Sequence, residues 1–164
     1  MAPPEGFSSP QYGFPVPTCC GSTVQPNGYR SSWAEFYAEN RLRAIAREIA
    51  RNQGRDRQLE ELVERTASKV VPRLLGGRYE EQMRPVVVHG DLWSGNHGRG
   101  RILRKGEEAV VEEVVFDPSC VWGVGEYELG IMRMFGGFGG GFWKELVANP
   151  TSLALFLCFI SFPL

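Results

Sequence analysis

His89-Gly90-Asp91-Leu92-Trp93-Ser94-Gly95-Asn96, followed after a polar stretch by Val114-Val115-Phe116-Asp117, carries the chemistry of this chain. One carboxylate stands at Asp91, an amide at Asn96, and a second carboxylate, Asp117, closes an apolar run. A hydroxyl attacking the γ-phosphoryl of a nucleoside triphosphate asks for such a set. One carboxylate orients the hydroxyl and takes its proton, while oxygen ligands hold a cation on the phosphates. Mg²⁺ takes hard oxygen donors and keeps water and phosphate in its shell, so one amide and one carboxylate suffice as its protein ligands.

An isolated Asp-x-x-x-x-Asn is common by chance, and a solvated loop is its ordinary reading. The flanks argue otherwise. Pro85-Val86-Val87-Val88 reads as a short buried strand feeding the loop, and Ala109 to Phe116 as another strand delivering Asp117 to the same edge. The loop also has the spacing of the protein-kinase catalytic loop, H-R-D-L-x-x-x-N, with Gly90 in place of the Arg, and Asp117 stands where the D-F-G acid would.

Longer motifs surround this core: Phe116-Asp117-Pro118, the run Glu126-Tyr127-Glu128-Leu129-Gly130-Ile131-Met132-Arg133-Met134-Phe135-Gly136-Gly137-Phe138, and upstream Phe14-Pro15-Val16-Pro17-Thr18-Cys19-Cys20-Gly21 and Ser31-Ser32-Trp33-Ala34-Glu35-Phe36-Tyr37. With the catalytic-loop stretch they closely resemble the fructosamine kinase (ketosamine 3-kinase) family, from about Phe14 to about Glu145. The resemblance implies phosphorylation of the sugar 3-hydroxyl of ketosamines, ribulosamine or fructosamine adducts on protein lysines or small ketosamines, with ATP and Mg²⁺. Its expected outcome is release of the adduct, a protein deglycation. Asp91 would then be the base and Asn96 and Asp117 the ligands of the cation. Trp93 is read either as a platform for the sugar face or as a packing residue of the loop. His89 is expected to hold the loop by hydrogen bonding, and Glu128 or Arg133 to brace it, against the plainer readings of a first-turn acid and a surface Arg.

The fold expected on the same grounds is α+β, a protein-kinase-like carboxy-terminal lobe, mainly helical, with a small β-hairpin carrying the catalytic loop. The resemblance also implies an amino-terminal lobe with a phosphate-covering loop, a strand Lys and its helix Glu. The residues before Phe14 leave no room for it, so that lobe is expected to be lost or supplied by another chain. Three regions follow: an irregular lead-in over 1–30, a partial kinase-like lobe over 31–145, and a divergent apolar tail over 146–164. The alternative function is an inactive fragment acting as a binding module or having no function.

Composition sets the remaining bounds. The 164 residues suit one modest core, and 18 Lys and Arg against 19 Asp and Glu give a net charge of −1, which offers nothing to nucleic acid or an anionic membrane. The apolar run Leu153 to Ile160 falls well short of the roughly 20 residues of a membrane span. No basic stretch leads into an apolar core near the start, so cytoplasmic residence is expected. Cys19, Cys20, Cys120 and Cys158 form no C-x-x-C pair and read as reduced thiols, with oxidation of Cys120, close to Asp117, as a possible disturbance.

Periodicity predicts a helix capped by Ser32 and Glu35 and ending near Gly54, with Trp33, Phe36 and Tyr37 on its core face and Arg41, Arg43, Arg47 and Arg51 on a solvated face. A second helix is predicted from about Asp56 to Leu75, kinked or divided at Pro72. Arg78 to Arg84 reads as a lead-in to the Val86 strand, Arg101-Ile102-Leu103 and Val110-Val111 as a hairpin around Lys105-Gly106, and Gly123-Val124-Gly125 as a loop before a helix over about Glu126–Phe135. The glycines from Gly136 to Gly141 read as a connector.

Overall fold

The computed structural model describes residues 11–103, 106 and 110–148. Helix α1 covers 33–53 in three continuous segments, Trp33–Phe36, a π-helical Tyr37–Arg43 and Ala44–Gln53. Ser32 caps it, its Oγ accepting from the Glu35 N–H at 3.3 Å. Helix α2 covers 57–75 as Arg57–Arg65, a π-helical Thr66–Val70 and Val71–Leu75, and Asp56 caps it by accepting from Leu59 N–H at 3.1 Å. Pro72 enters directly after the π-helical stretch, where the widened turn accommodates a ring that carries no N–H. Helices α3 (Arg78–Gln82), α4 (Gly125–Phe135) and α5 (Gly140–Ala148) follow among the described residues.

Among the described residues six short strands make three antiparallel pairs: β1 (Thr18–Cys20) with β2 (Thr23–Gln25), β3 (Val86–Val88) with β6 (Val121–Gly123), and β4 (His97–Arg101) with β5 (Val111–Val115). Their registers set Cys20 opposite Thr23, Val88 opposite Val121 and His97 opposite Val115. Architecturally the chain is mixed helix and sheet, of the α+β class.

The main core joins Tyr12, Trp33, Phe36, Val88, Val121 and Val124, with Phe14, Tyr37, Tyr127 and Leu129 packed around it. Trp33 stacks on Phe36 at 5.4 Å and meets the edge of Tyr127 at the same separation, so the aromatic face of α1 is core, as its spacing predicts. Ala38, Ala67 and Val71 form a smaller cluster whose short side chains let α1 and α2 approach closely.

Several sequence expectations need correction. Residues 1–30 are not wholly irregular: β1 and β2 lie there, and Tyr12 and Gly13 pair with Arg30 and Trp122, which draws the lead-in into the core. The catalytic loop is not carried by a hairpin; it runs from β3, whose partner β6 comes later in the chain, to β4 of the β4–β5 hairpin. Gly123, read as part of a Gly123-Val124-Gly125 loop, instead ends strand β6, Val121–Gly123, where it permits the close approach of the Trp33 ring while Val121 and Trp122 are buried. Arg41 is buried at 3% exposure and belongs to no solvated face. Its guanidinium lies 4.7 Å over the Phe36 ring and donates to the Pro26 and Asn27 oxygens. Arg78–Gln82 is helical, as are Gly140 and Gly141. The hairpin begins at His97, earlier than expected, and its turn residue Lys105 lies outside the described residues, as do Met1–Gly6, the apolar tail from Asn149 on and Cys158. Among the described residues no helix is long and apolar enough to cross a membrane.

Candidate active site

Strand β3 delivers His89 into a turn that only glycine can make at position 90. Gly90 adopts φ +79°, and a Cβ there would collide with the Ser119 carbonyl oxygen. The two limbs of the site are thus pressed together, and a hydrogen bond from Ser119 N–H to the His89 carbonyl at 2.8 Å joins them.

Glu128, in α4, is fully buried beneath this turn. Its Oε2 accepts from Gly90 N–H at 3.0 Å and its Oε1 from Leu92 N–H at 3.1 Å, so one carboxylate satisfies amides on both sides of Asp91. Burial raises its pKa, and the amides of Gly90, Leu92 and His89 oppose that rise. Of the two readings of Glu128, the brace is the one the geometry shows. Arg133 lies elsewhere, 4.9 Å over the Trp143 ring.

His89 is buried with both ring nitrogens engaged. Nε2 donates to the Phe116 carbonyl at 2.9 Å and Nδ1 accepts from Asp91 N–H at 3.3 Å, which requires the neutral ring. Burial lowers its pKa, against the opposing pull of the Phe116 carbonyl, Asp91 and Asp117. The unfolded chain therefore binds the proton more readily than the folded one, and stability rises with pH up to about the ordinary value of 6.5 and levels off above it. Melting curves across that window should show this slope in the wild type and a flatter one in His89→Gln; equal slopes would refute it.

Asn96 sits in a 3-10 turn, Ser94–Asn96, and is buried. Its Nδ2 donates to the Asp91 carbonyl at 2.9 Å and to Asp91 Oδ2 at 3.2 Å. The reverse amide orientation would set oxygen against two oxygens, so the nitrogen end belongs to Asp91 and the oxygen end is the one a hard cation would take. Asp117 is exposed and has φ +57°, the one described non-glycine residue with positive φ, a conformation Asp tolerates better than most. The bond from His89 to Phe116, one residue earlier, anchors it to the loop. Trp93 lies across Gly95, where a Cβ would strike the indole, and its ring is 5.4 Å from Phe135. This contact packs the loop against α4.

The fold thus brings His89 and Asn96 into direct hydrogen bonds with Asp91, sets Glu128 on the amides of Gly90 and Leu92 to either side of it, and ties Asp117 to the loop through the Phe116 carbonyl. Sequence reasoning missed Cys20, whose Sγ lies 3.6 Å from Asp91 Oδ1, and Ser119, whose Oγ donates to the Cys19 carbonyl at 2.8 Å. No periodicity relates positions so far apart in the chain. Cys120 is buried, and burial followed by Glu128 pushes its thiol up to about 11, so it is poorly placed to form the reactive thiolate.

The family model described as fructosamine kinase matches residues 5–148. The chain is 39% identical over 142 residues to a "Probable ketoamine kinase" of Synechocystis sp., covering 83% of the chain and 41% of that relative. It is 36% identical over 134 residues to the ketosamine-3-kinase of Mus musculus, covering 82% and 39%. With the chloroplastic protein-ribulosamine 3-kinase of Oryza sativa subsp. indica it shares 34% over 134 residues, covering 82% and 35%. The chain thus spans about two fifths of the length of these relatives. A crystal structure from Haemophilus somnus, described as a "Putative fructosamine-3-kinase", shares the fold with a TM-score of 0.63 at 23% identity, covering 94% of the chain and 47% of that structure. By the match of its sequence to the family over 5–148, and by its likeness to these relatives, the chain belongs to the fructosamine kinase family.

Proposed function

We propose that this chain carries the catalytic loop of a ketosamine 3-kinase, transferring the γ-phosphoryl of ATP to the sugar 3-hydroxyl of ribulosamine or fructosamine adducts on protein lysines or of small ketosamines. The region it represents is a kinase-like carboxy-terminal lobe. The observation that carries the reading is the Asn96 side chain bonded to both the carbonyl and the carboxylate of Asp91, which keeps a base and a cation ligand in one rigid loop. Asp91 orients the acceptor hydroxyl and takes its proton as the new P–O bond forms and the bond to ADP breaks. Asn96 and Asp117 are the residues that would hold Mg²⁺, which when bound neutralises charge on the phosphates. Their donor set, one amide oxygen and one carboxylate, is of the hard type this cation takes. His89 and Glu128 fix the loop, and Trp93 packs it against Phe135.

The test is ATP-dependent phosphorylation of a synthetic ribuloselysine by the purified chain with Mg²⁺. Turnover is expected in the wild type and background rates in Asp117→Asn. Turnover that survives Asp117→Asn overturns the ligand assignment, and its absence in a demonstrably folded wild-type chain overturns the transferase reading in favour of a binding role.

A further inference from the structure

Cys19 and Cys20 are neighbours on β1, and strand alternation sends their side chains to opposite faces. Cys19 is exposed; Cys20 is half-buried with its Sγ 3.6 Å from Asp91 Oδ1. The other carboxylate oxygen, Oδ2, receives Asn96 Nδ2. Asp91 is therefore gripped from two sides, by its own loop and by the β1–β2 hairpin.

The hairpin is itself firmly held. Ser119 Oγ bonds the Cys19 carbonyl at 2.8 Å and lies 3.3 Å from Gln25 Oε1. Asn27 Nδ2 donates to the Val16 carbonyl and to Thr18 Oγ1, while the buried Arg41 donates Nη2 to Asn27 Oδ1 and Nη1 to the Pro26 carbonyl. Asn40 Nδ2 fastens Gly28 in the same way at 2.9 Å. A buried guanidinium spent on backbone and amide oxygens, at a site where it forms no ion pair among the described residues, marks a loop whose position matters.

We propose that Cys20 is a positioning residue for Asp91: its S–H hydrogen bond to Oδ1, paired with that of Asn96 to Oδ2, fixes the carboxylate rotamer and makes the β1–β2 hairpin one wall of the acceptor-hydroxyl site. The hairpin wall rests on the phosphoryl-transfer reading for what Asp91 faces; the thiol contact does not. The thiol must stay protonated to donate, and its surroundings keep it so, since burial and then the Asp91 carboxylate raise its pKa. A thiol is a weak donor, but it is compact and apolar enough to sit against a site that must open to a sugar hydroxyl.

Two measurements on the intact chain test this without relying on turnover. In ¹H–¹⁵N spectra, Cys20→Ala should shift the Asn96 side-chain NH₂ signals, because an unpinned Asp91 changes their acceptor, and Cys20→Ser should restore them; Cys19→Ala should leave them in place. Alkylation by iodoacetamide should be slow at Cys20 relative to Cys19, and that ratio should rise severalfold in Asp91→Asn, where the carboxylate that disfavours the thiolate is gone. Unmoved Asn96 signals in Cys20→Ala, equal displacement in the Ala and Ser variants, or an unchanged alkylation ratio would each overturn the proposal. Should Cys20→Ala fail to fold, the serine variant and the alkylation ratio decide. A folded chain that shows both effects without turnover upholds the thiol contact and sinks the transferase reading; an active chain that shows neither does the reverse.

Discussion

On the proposed function, replacing Asp91 by Asn should lower ATP-dependent transfer to ribuloselysine by about 10²–10⁴-fold, the usual contribution of a positioned general base. The substitution conserves shape, so the loop scaffold from Glu128 and His89 persists; what is lost is the proton acceptor and the partner of Asn96 Nδ2. An amide in that place must either turn its oxygen to Asn96 and its nitrogen to Cys20, or the reverse, and neither arrangement takes a proton from a hydroxyl. Initial rates paired with a melting curve separate the outcomes. A large loss of rate at an unchanged melting temperature is expected, and a rate within about twofold of wild type would remove Asp91 from the role of base.

Glu128→Ala should be the most destabilising single change at the site, costing about 3–5 kcal/mol. The side chain is fully buried, and its loss leaves the amides of Gly90 and Leu92 without acceptors in a place closed to solvent, together with a cavity. For a domain of this size that corresponds to a fall of about 10 °C in melting temperature. Glu128→Gln should cost less, about 1–2 kcal/mol, since one oxygen remains to accept. It should also remove a pH dependence. With its folded pKa raised above 4.5, the carboxyl favours the folded state most below that value, and the contribution is lost as pH rises through the folded pKa. Denaturant curves for the three proteins at two pH values check both statements. A Glu128→Ala protein as stable as wild type would show that the brace is dispensable.

What sequence could reveal follows the range of the interactions. The β3 strand, the loop from His89 to Asn96, the Ser32 cap, the start of α2 near Asp56 and the aromatic face of α1 are set by residues a few positions apart, where periodicity and spacing are informative. Arg41 was misread for the same reason. It follows Arg-rich helical spacing, yet the π-helical turn around it rotates the side chain inward to Pro26 and Asn27, and no local pattern announces a π-helical turn. Strand β6 was hidden because Gly123 and Gly125 look like a loop until a partner strand and the Trp33 ring are supplied. Glu128 could be suspected but not assigned, since a first-turn acid on a helix has a sufficient local explanation in the helix dipole. Cys20 and Ser119 carried no signal at all; their partners stand 71 and 100 positions away.

Those separations also bear on the order of assembly. The bond from Ser119 to Cys19 closes a span of 100 residues, and that from Cys20 to Asp91 a span of 71. Loops of such length pay their closure entropy before any contact rewards it, whereas α1, α2 and the β4–β5 hairpin close locally. During synthesis the hairpin emerges long before the segment that anchors it, so the catalytic loop gains its second wall only when Ser119 has left the ribosome. Folding of this chain thus builds helices early and completes its chemistry late.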